Sequence, residues 1–345
     1  MIIQRKVLNE ILKIIYPAIS YKGILEEYGM FIFTEDMIWG FNGRIGTGHP
    51  LKNDLKCLIP SKELFDLVEK FGAEDIHIAK KNDKISLRGE AQGGIIQAEI
   101  RTFEDKANIL NTIPKQTLIK QWNPLPANFN DAIRMTLFSV AKDISMGALN
   151  CIFCQDNFLI SSDNFRISKF RMCSTLSNSF LIPLSSAIEL SKISNLTDFS
   201  FFDGWILFKG QEGIIFFLRG IEHNFPETSN LFQITGKDVI EFPSRMKDFV
   251  GACKVFTEAI IKDQKIKVKI ENNIIKCRGE NMNGWIEHSL EIDCNKSLEF
   301  DINPSFFEFI LGFTKKAIIG NNRILFQGDN FEHLISLSCY EDNYE

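Results

Sequence analysis

The sequence predicts an α+β protein built from three similar domains in tandem, because two strand patterns recur along the chain and helical segments recur between them. The chain has 345 residues, which is more than one compact core normally holds and suits two or three domains. A division into three gives about 115 residues per unit, the size of an ordinary domain.

The first recurring pattern is an apolar run that ends in glycine and is followed by a polar turn and a second β-rich run. It reads ISLRG at 85–89, ILFKG at 206–210 and ILFQG at 324–328. The pattern predicts three hairpins in which Gly89, Gly210 and Gly328 supply the turn geometry.

The second pattern is an apolar run broken by a short acidic or asparagine turn. It reads FIFTEDMIWGF at 31–41, CIFCQDNFLISS at 151–162 and VKIENNIIKCRG at 268–279. Its turn residues Asp36, Asp156 and Asn272 repeat in phase with the glycines, which indicates a true internal repeat.

Helical segments fall between the strand patterns at the same period. The first helix of each unit is predicted at 6–19, 127–142 and 244–258, and the second at 61–72, 184–194 and 304–316. Pro60, Pro183 and Pro304 mark the starts of the second helices, where a missing N–H is tolerated. Each unit therefore reads helix, strands, helix, strands, with domains predicted at 1–118, 119–234 and 235–345.

Composition excludes several classes of protein. A 45% hydrophobic and 24% charged chain is typical of a globular protein, and the net charge of −5 excludes a generally basic nucleic-acid coat. The start lacks the features of a signal peptide and no apolar run is long enough to span a membrane, so we expect a cytoplasmic protein without membrane contact.

The sequence offers no signature of catalysis, of a cofactor or of a metal site. Cys151 and Cys154 form a CxxC without a second ligand pair, so core-facing strand residues are the better interpretation. The glycine-rich GRIGTGHP at 43–50 matches no phosphate-binding loop and is interpreted as a turn. We therefore expect a protein that is not an enzyme.

Charge is distributed unevenly between the predicted helices and the remainder of the chain. The six predicted helices carry twelve basic and nine acidic residues, an excess of +3 within an acidic protein. Ordinary solvated helix faces explain this excess, and so does a shallow positive surface for a polyanion held through phosphate contacts. The charge alone favours the first explanation.

Four segments resemble the bacterial DNA sliding clamp, the processivity subunit of the replicative polymerase (the DNA polymerase III beta subunit family). FLISSDNFRISKF at 158–170 is similar to the family's (A/S)TDGHRLA segment. The others are LFSVAKDISMGALN at 137–150, FLIPLSSAIELSKI at 180–193 and GIEHNFPETSNLF at 220–232. The resemblance extends over essentially the whole chain and is strongest in the middle unit.

The resemblance implies three clamp-type domains, each with two helices packed on two small antiparallel sheets. Two chains would join head to tail into a ring around duplex DNA, a homodimer that tethers polymerase without catalysing a reaction. Its other implied partners are the clamp loader and replication or repair proteins that carry short peptide motifs. Residues implied to face DNA are Lys6, Lys13, Lys70, Arg134, Lys142, Lys192, Lys247 and Lys254.

The family also implies a hydrophobic pocket for partner peptides between the second and third domains. Its walls would be Leu149, Ser162, Asn164, Phe165, Arg166, Ile167, Leu231, Leu337 and Cys339. Phe165 stands where the family usually has His, Asn164 where it has Gly, and the C-terminal SLSCYEDNYE departs from the family's tail. These departures indicate a divergent system, such as a phage or mobile-element replisome.

Two other functions remain open on the sequence. A clamp-fold protein could serve as a protein-binding scaffold or a DNA-bound transcription adaptor without a processivity role. A triplicated β-rich enzyme is the second alternative, and it would require a pocket with clustered acid and base groups.

Overall fold

A computed structural model of the chain describes residues 1–91, 93–115, 118–234, 238–320 and 322–337. Seven α-helices lie within these ranges: α1 Arg5–Ile15, α2 Ser61–Lys70, α3 Ile109–Thr112, α4 Phe129–Leu137, α5 Leu184–Leu190, α6 Met246–Cys253 and α7 Pro304–Leu311. None of the helices in the described part is long and apolar enough to cross a membrane.

The strands fall into three series that follow one another along the chain. The first is β1 Ile2–Gln4, β2 Met30–Phe33, β3 Met37–Phe41, β4 Ile45–Pro50, β5 Cys57–Pro60, β6 Asp75–Lys81, β7 Lys84–Ala91 and β8 Gly94–Arg101. The second is β9 Asn123–Pro124, β10 Cys151–Gln155, β11 Phe158–Ser162, β12 Arg166–Arg171, β13 Phe180–Pro183, β14 Leu196–Phe202, β15 Trp205–Gly210 and β16 Ile215–Arg219. The third is β17 Asp238–Glu241, β18 Ile266–Glu271, β19 Ile274–Asn281, β20 Gly284–Glu291, β21 Leu298–Ile302, β22 Lys316–Ile319, β23 Arg323–Gln327 and β24 Phe331–Ser336.

All three series have the same order: one strand, a helix, four strands, a second helix and three strands. The predicted fold class is therefore confirmed, as an α+β protein with three tandem copies of one unit. Pro60 and Pro183 directly precede α2 and α5, and Pro304 opens α7. Asn303 caps α7 through its side-chain oxygen, which accepts hydrogen bonds from the amides of Ser305 and Phe306.

By its internal contacts the chain divides into two compact units, of which the first holds residues 1–131 and 173–222. This unit contains a four-stranded sheet of order β1-β6-β7-β8 and an eight-stranded sheet of order β5-β2-β3-β4-β16-β15-β14-β9. The eight-stranded sheet joins the first and second repeats through antiparallel pairing of β4 with β16, in which Thr47 lies opposite Phe216.

At least two apolar clusters pack within the described part of the first unit. One lies beneath α1 and α2 and includes Leu8, Leu12 and Phe31. The other surrounds the β4–β16 pairing and includes Trp39 and Phe217. This second cluster corrects the interpretation of GRIGTGHP, because most of that segment is strand β4. A Cβ at Gly46 would overlap the Phe217 ring and one at Gly48 the Trp39 ring, so the glycines make room for aromatic side chains.

The second unit holds residues 132–172 and 223–345. It contains a four-stranded sheet of order β20-β19-β18-β21 and a run of adjacent strands in the order β10-β11-β12-β24-β23-β22-β17. That run joins the second and third repeats through antiparallel pairing of β12 with β24, in which Ser168 lies opposite His333. Both cysteines of the CxxC, Cys151 and Cys154, are buried in β10, as the core interpretation predicts.

The hairpins predicted at the three glycine-ended runs form, and only the role given to the glycines is wrong. Asp156, Asn272 and Asn273 adopt positive φ in the two-residue turns that join β10 to β11 and β18 to β19. None of Gly89, Gly210 and Gly328 has a positive φ, so they do not supply the turn geometry. Gly89 instead lies inside β7, where a Cβ would come within 2.8 Å of the Asp75 carbonyl oxygen.

Most helices are shorter than predicted. The helix predicted at 127–142 ends at Leu137, where the Ser139 amide bonds to the Thr136 carbonyl and turns the chain. With the observed ends, the α-helices contain seven basic and eight acidic residues, so the expected excess of +3 is not a property of the helices. Lys142, Lys192 and Lys254 lie beyond the ends of α4, α5 and α6.

Candidate functional site

The eight basic residues predicted to face DNA all reach the surface. Lys254 is half-buried and the other seven are exposed. Among the lysines, Lys192 Nζ lies 2.6 Å from a carboxylate oxygen of Glu189, and Lys254 Nζ lies 3.6 Å from one of Glu308. The positive charge available to a polyanion is therefore weaker at these two positions.

Within the first unit, basic residues of two repeats line the same cleft. Lys13 on α1 and Lys192 after α5 both border a cavity of about 310 Å³. Pairing of β4 with β16 joins the two repeats in one sheet, and this brings the two side chains to one cleft. The second unit places Arg134 on α4, Lys142 after it, and Lys247 and Lys254 on and after α6.

The segment that carries the family resemblance is a hydrogen-bonded turn between β11 and β12. One carboxylate oxygen of Asp163 accepts from the backbone amides of Phe165 and Arg166, both at 3.2 Å. The Ser162 hydroxyl donates to the Arg166 carbonyl at 3.0 Å. Asn164 adopts a φ of 73°, a left-handed conformation that asparagine tolerates and that explains why a glycine can occupy this position in the family.

Arg166 is buried rather than lining an open pocket. Its guanidinium carbon lies 3.7 Å from the ring centre of Phe138 and 3.8 Å from that of Phe306. Its Nε donates to the second carboxylate oxygen of Asp163 at 2.9 Å. Stacking and ion pairing compensate the burial, although burial still lowers the pKa of Arg166 from its ordinary value.

A chain of buried polar groups lies beside Arg166. The Ser139 and Ser168 hydroxyls are 2.7 Å apart, and the Ser168 oxygen is 2.9 Å from Nδ1 of His333. Burial, and then the positive charge of Arg166, hold the pKa of His333 well below its usual range. His333 is therefore a neutral core residue at physiological pH, and the sequence showed no local motif by which to find this network.

The remaining pocket residues divide into buried and exposed sets. Ile167 belongs to a cluster with Leu325 and Leu334, against which Phe232 packs. Leu337 is buried, and Leu149 is half-buried. Phe165 and Leu231 expose 46% and 40% of their surface, so they are the apolar side chains of the predicted set that a partner could contact directly. Cys339 lies outside the described residues.

Sequence reasoning did not identify the aromatic residues that hold Arg166. Phe138 stacks on Phe309 with ring centres 3.4 Å apart, and Phe306 meets Phe138 edge to face. The sequence did contain one indication of this cluster. Phe306 and Phe309 are three residues apart in α7, and this spacing places them on one helix face.

The three repeats, joined through β4–β16 and β12–β24, define the fold of the bacterial sliding clamp. The chain is similar to the DNA polymerase III subunit beta of Borrelia burgdorferi, solved with a natural product, at a TM-score of 0.84 and 17% identity over 98% of this chain and 99% of that one.

Two further structures agree. The DNA polymerase III beta chain of Streptococcus pneumoniae TIGR4 gives a TM-score of 0.82 at 16% identity, over 98% of this chain and 99% of that one. The DNA polymerase sliding clamp of Bacillus subtilis gives 0.80 at 16% identity, over 98% of each. No sequence profile of a known protein family matches the chain, and neither does any curated protein sequence.

Proposed function

We propose that this protein is a DNA sliding clamp, a ring-shaped homodimer that encircles duplex DNA and tethers the replicative polymerase to it. The observation that carries the proposal is the pair of edge strands β8 and β20. Each ends a four-stranded sheet, whereas the equivalent strands of the other repeats form the two junctions within the chain.

The repeats specify how these edges would pair. Strands β8, β16 and β24 occupy one position in the three repeats, and β4, β12 and β20 occupy another. Within the chain, β4 pairs with β16 and β12 with β24 in the same register. The same rule pairs β20 of one copy with β8 of the next, which is a head-to-tail contact, and two such contacts would close the proposed homodimer.

The apolar side chains on one face of β8 and of β20 are complementary. Transfer of the register places Ile100 opposite Ile286 of the partner subunit and Ile96 opposite Leu290 of the partner subunit. These side chains alternate with exposed ones along β8 and β20, so their half-buried apolar faces would become covered on pairing.

In this ring, the basic residues at 6, 13, 70, 134, 142, 192, 247 and 254 would face the phosphates of the enclosed duplex. Contacts of this type are not sequence-specific, and they permit sliding. We propose domain limits at 1–118, 119–234 and 235–345, no catalytic activity, and a clamp loader and motif-bearing replication proteins as further partners. Phe165 and Leu231 would be the accessible part of the surface that binds partner peptides.

Two measurements on the full chain test the ring. Sedimentation equilibrium should show a dimer at micromolar concentration. Protein loaded on nicked circular DNA should remain bound through gel filtration and should dissociate when the circle is cut once, because topology retains it. A monomer at all concentrations would contradict the ring, and retention on linear DNA would indicate ordinary DNA binding.

A polymerase extension assay separates a clamp from a scaffold of the same fold. A clamp should lengthen the products made in a single binding event by the replicative polymerase of the same organism. A ring that is retained on circles yet leaves product length unchanged would instead support the scaffold or transcription-adaptor function.

A further inference from the structure

The three junctions differ at one equivalent pair of opposite residues, on the face of the sheet that carries Phe217 and Leu334. In the β4–β16 junction Phe217 lies opposite Gly46, and in the β12–β24 junction Leu334 lies opposite Ile167. All four positions are buried. The equivalent residues on the two edge strands are Glu99 on β8 and Glu287 on β20, so two carboxylates replace an apolar contact.

We propose that repulsion between two carboxylates weakens the junction between copies, because Glu99 lies directly opposite Glu287 of the partner subunit. This inference rests on the proposed ring. Both side chains are accessible: Glu99 exposes 50% of its side chain and Glu287 exposes 32%. Like charges directly opposite each other on antiparallel strands destabilise the pairing.

The backbone pattern fixes the separation of the two carboxylates. In the internal junctions the Arg219 amide bonds to the Arg44 carbonyl and the Ser336 amide to the Phe165 carbonyl. These bonds make the Phe217–Gly46 position and its equivalents hydrogen-bonded pairs, because such pairs alternate along antiparallel strands. Glu99 and Glu287 of the partner subunit would therefore have Cα atoms about 5.5 Å apart.

Each carboxylate has a cation on the neighbouring strand of its own sheet. Lys84 Nζ lies 3.2 Å from a Glu99 oxygen, and Arg278 Nη1 lies 3.9 Å from a Glu287 oxygen. Arg278 also bonds to Glu280 at 3.0 Å. Both cations lie on the side of the carboxylate away from the junction. They therefore weaken the repulsion between the two carboxylates but do not abolish it.

Arg101 is the other charged residue that faces this position. It lies two residues beyond Glu99 and opposite Trp285 of the partner subunit, and diagonal to Glu287 of the partner subunit. Within one chain the Arg278 guanidinium already covers the Trp285 ring at 4.5 Å. Diagonal neighbours are about 7–8 Å apart against about 5.5 Å for the direct pair, so Arg101 offsets part of the repulsion between the two carboxylates.

The internal junctions carry no such pair and are covered by apolar residues such as Ile113 and Phe232. The carboxylate pair therefore makes the junction between copies weaker than it would be with apolar residues at this position. The carboxylate pair makes closure reversible, and loss of either charge strengthens it.

A cycle of isosteric substitutions tests the pair by sedimentation equilibrium of the full chain. E99Q and E287Q should each lower the dimer dissociation constant about two- to thirtyfold, because a ring contains two such junctions. The double variant E99Q/E287Q should gain no more than a single one, since one substitution already removes the repulsion. Glu271 lies on β18, two strands away from the edge strand β20. E271Q is therefore the matched control and should leave the dimer dissociation constant unchanged.

The outcomes separate the two proposals. If the protein is a dimer and its dissociation constant is unchanged or raised in both E99Q and E287Q, the carboxylate pair is overturned. The proposed ring is not affected by that result. Fully additive gains in the double variant also overturn it, because they would reflect net charge rather than contact. If the parent chain and both variants are monomers at all concentrations, the ring is overturned and the pair with it.

Discussion

At the scale of single residues, side chains that share a segment have different roles. The family resemblance assigns Arg166, Ile167 and Phe165 together to a peptide pocket. The structure buries Arg166 between Phe138 and Phe306 and leaves Phe165 exposed. Burial depends on what packs over a residue, and the rings over Arg166 come from segments far away in the chain. The sequence pattern alone could not separate the three.

His333 predicts a pH dependence of stability. The imidazole is fully buried and neutral, with its pKa well below the usual range, whereas the unfolded chain binds a proton near pH 6.5. Below that pH the unfolded state therefore binds more protons, and stability falls as pH falls. Between pH 7.5 and 5.5 we expect the protein to lose about 1.4 kcal/mol through this group.

Urea denaturation of the parent chain and of H333Q at both pH values measures this loss. Glutamine removes the titrating group, so the stability difference between the two proteins should change by that amount between the two pH values. A difference that stays constant would show that His333 does not couple folding to protons.

At the scale of elements, the sequence predicted which segments form helices and strands better than where they end. The starts marked by Pro60, Pro183 and Pro304 are confirmed, because proline acts through its own backbone. The end of α4 at Leu137 depends on how Ser139, Val140 and Ala141 become buried, and no local signal specifies that. GRIGTGHP looked like a turn because glycine usually marks one, and only Phe217 and Trp39 explain its place in a strand.

Two separate elements carry the accessible part of the proposed peptide-binding surface. Phe165 lies in the β11–β12 turn, and Leu231 lies in a short 3-10 segment at 229–232. F165A and L231A should each weaken binding of the polymerase's C-terminal peptide about tenfold, since a contact residue of this type contributes about 1–2 kcal/mol. Fluorescence anisotropy with a labelled peptide measures the affinity.

I144A is the control for these variants, because Ile144 is 75% exposed and lies outside the predicted pocket. All three variants should keep the stability of the parent chain. Equal affinities for the parent chain, F165A and L231A would place the peptide elsewhere on the protein.

At the scale of the whole molecule, the internal repeat is the feature that the sequence predicted best. Two strand patterns in phase gave three units, and the structure has the same order of elements in each. The distribution of charge was less predictable. The expected positive excess disappears with the observed helix ends, because Lys142, Lys192 and Lys254 lie beyond them. The observed helix ends, which depend on packing, therefore decide which basic residues count as helical.

Lys6 and Lys13 on α1 provide the test of DNA contact. K6E/K13E removes four positive charges from a dimeric ring, and the slope of log affinity against log salt concentration should fall by about 3 to 4 if all four meet phosphates. Anisotropy of a labelled duplex across a salt series measures the slope.

The control K22E/K52E makes the same change in charge at two exposed lysines, Lys22 before β2 and Lys52 after β4, which lie outside the predicted DNA-facing set. It should leave the slope near that of the parent chain. Equal slopes for K6E/K13E and the parent chain would remove α1 from the proposed DNA-facing surface.

The sequence by itself determined the three repeats, the order of helices and strands, and the turns at Asp156 and Asn272, because each follows from patterns within a few residues. Only the tertiary structure decided which strand edges meet. It also decided that Arg166 and His333 are buried, and that Glu99 and Glu287 lie on free edges. Those features depend on pairing between distant segments, as in the contact of Ser168 with His333 across 165 residues, and no local pattern encodes the register of such a pairing.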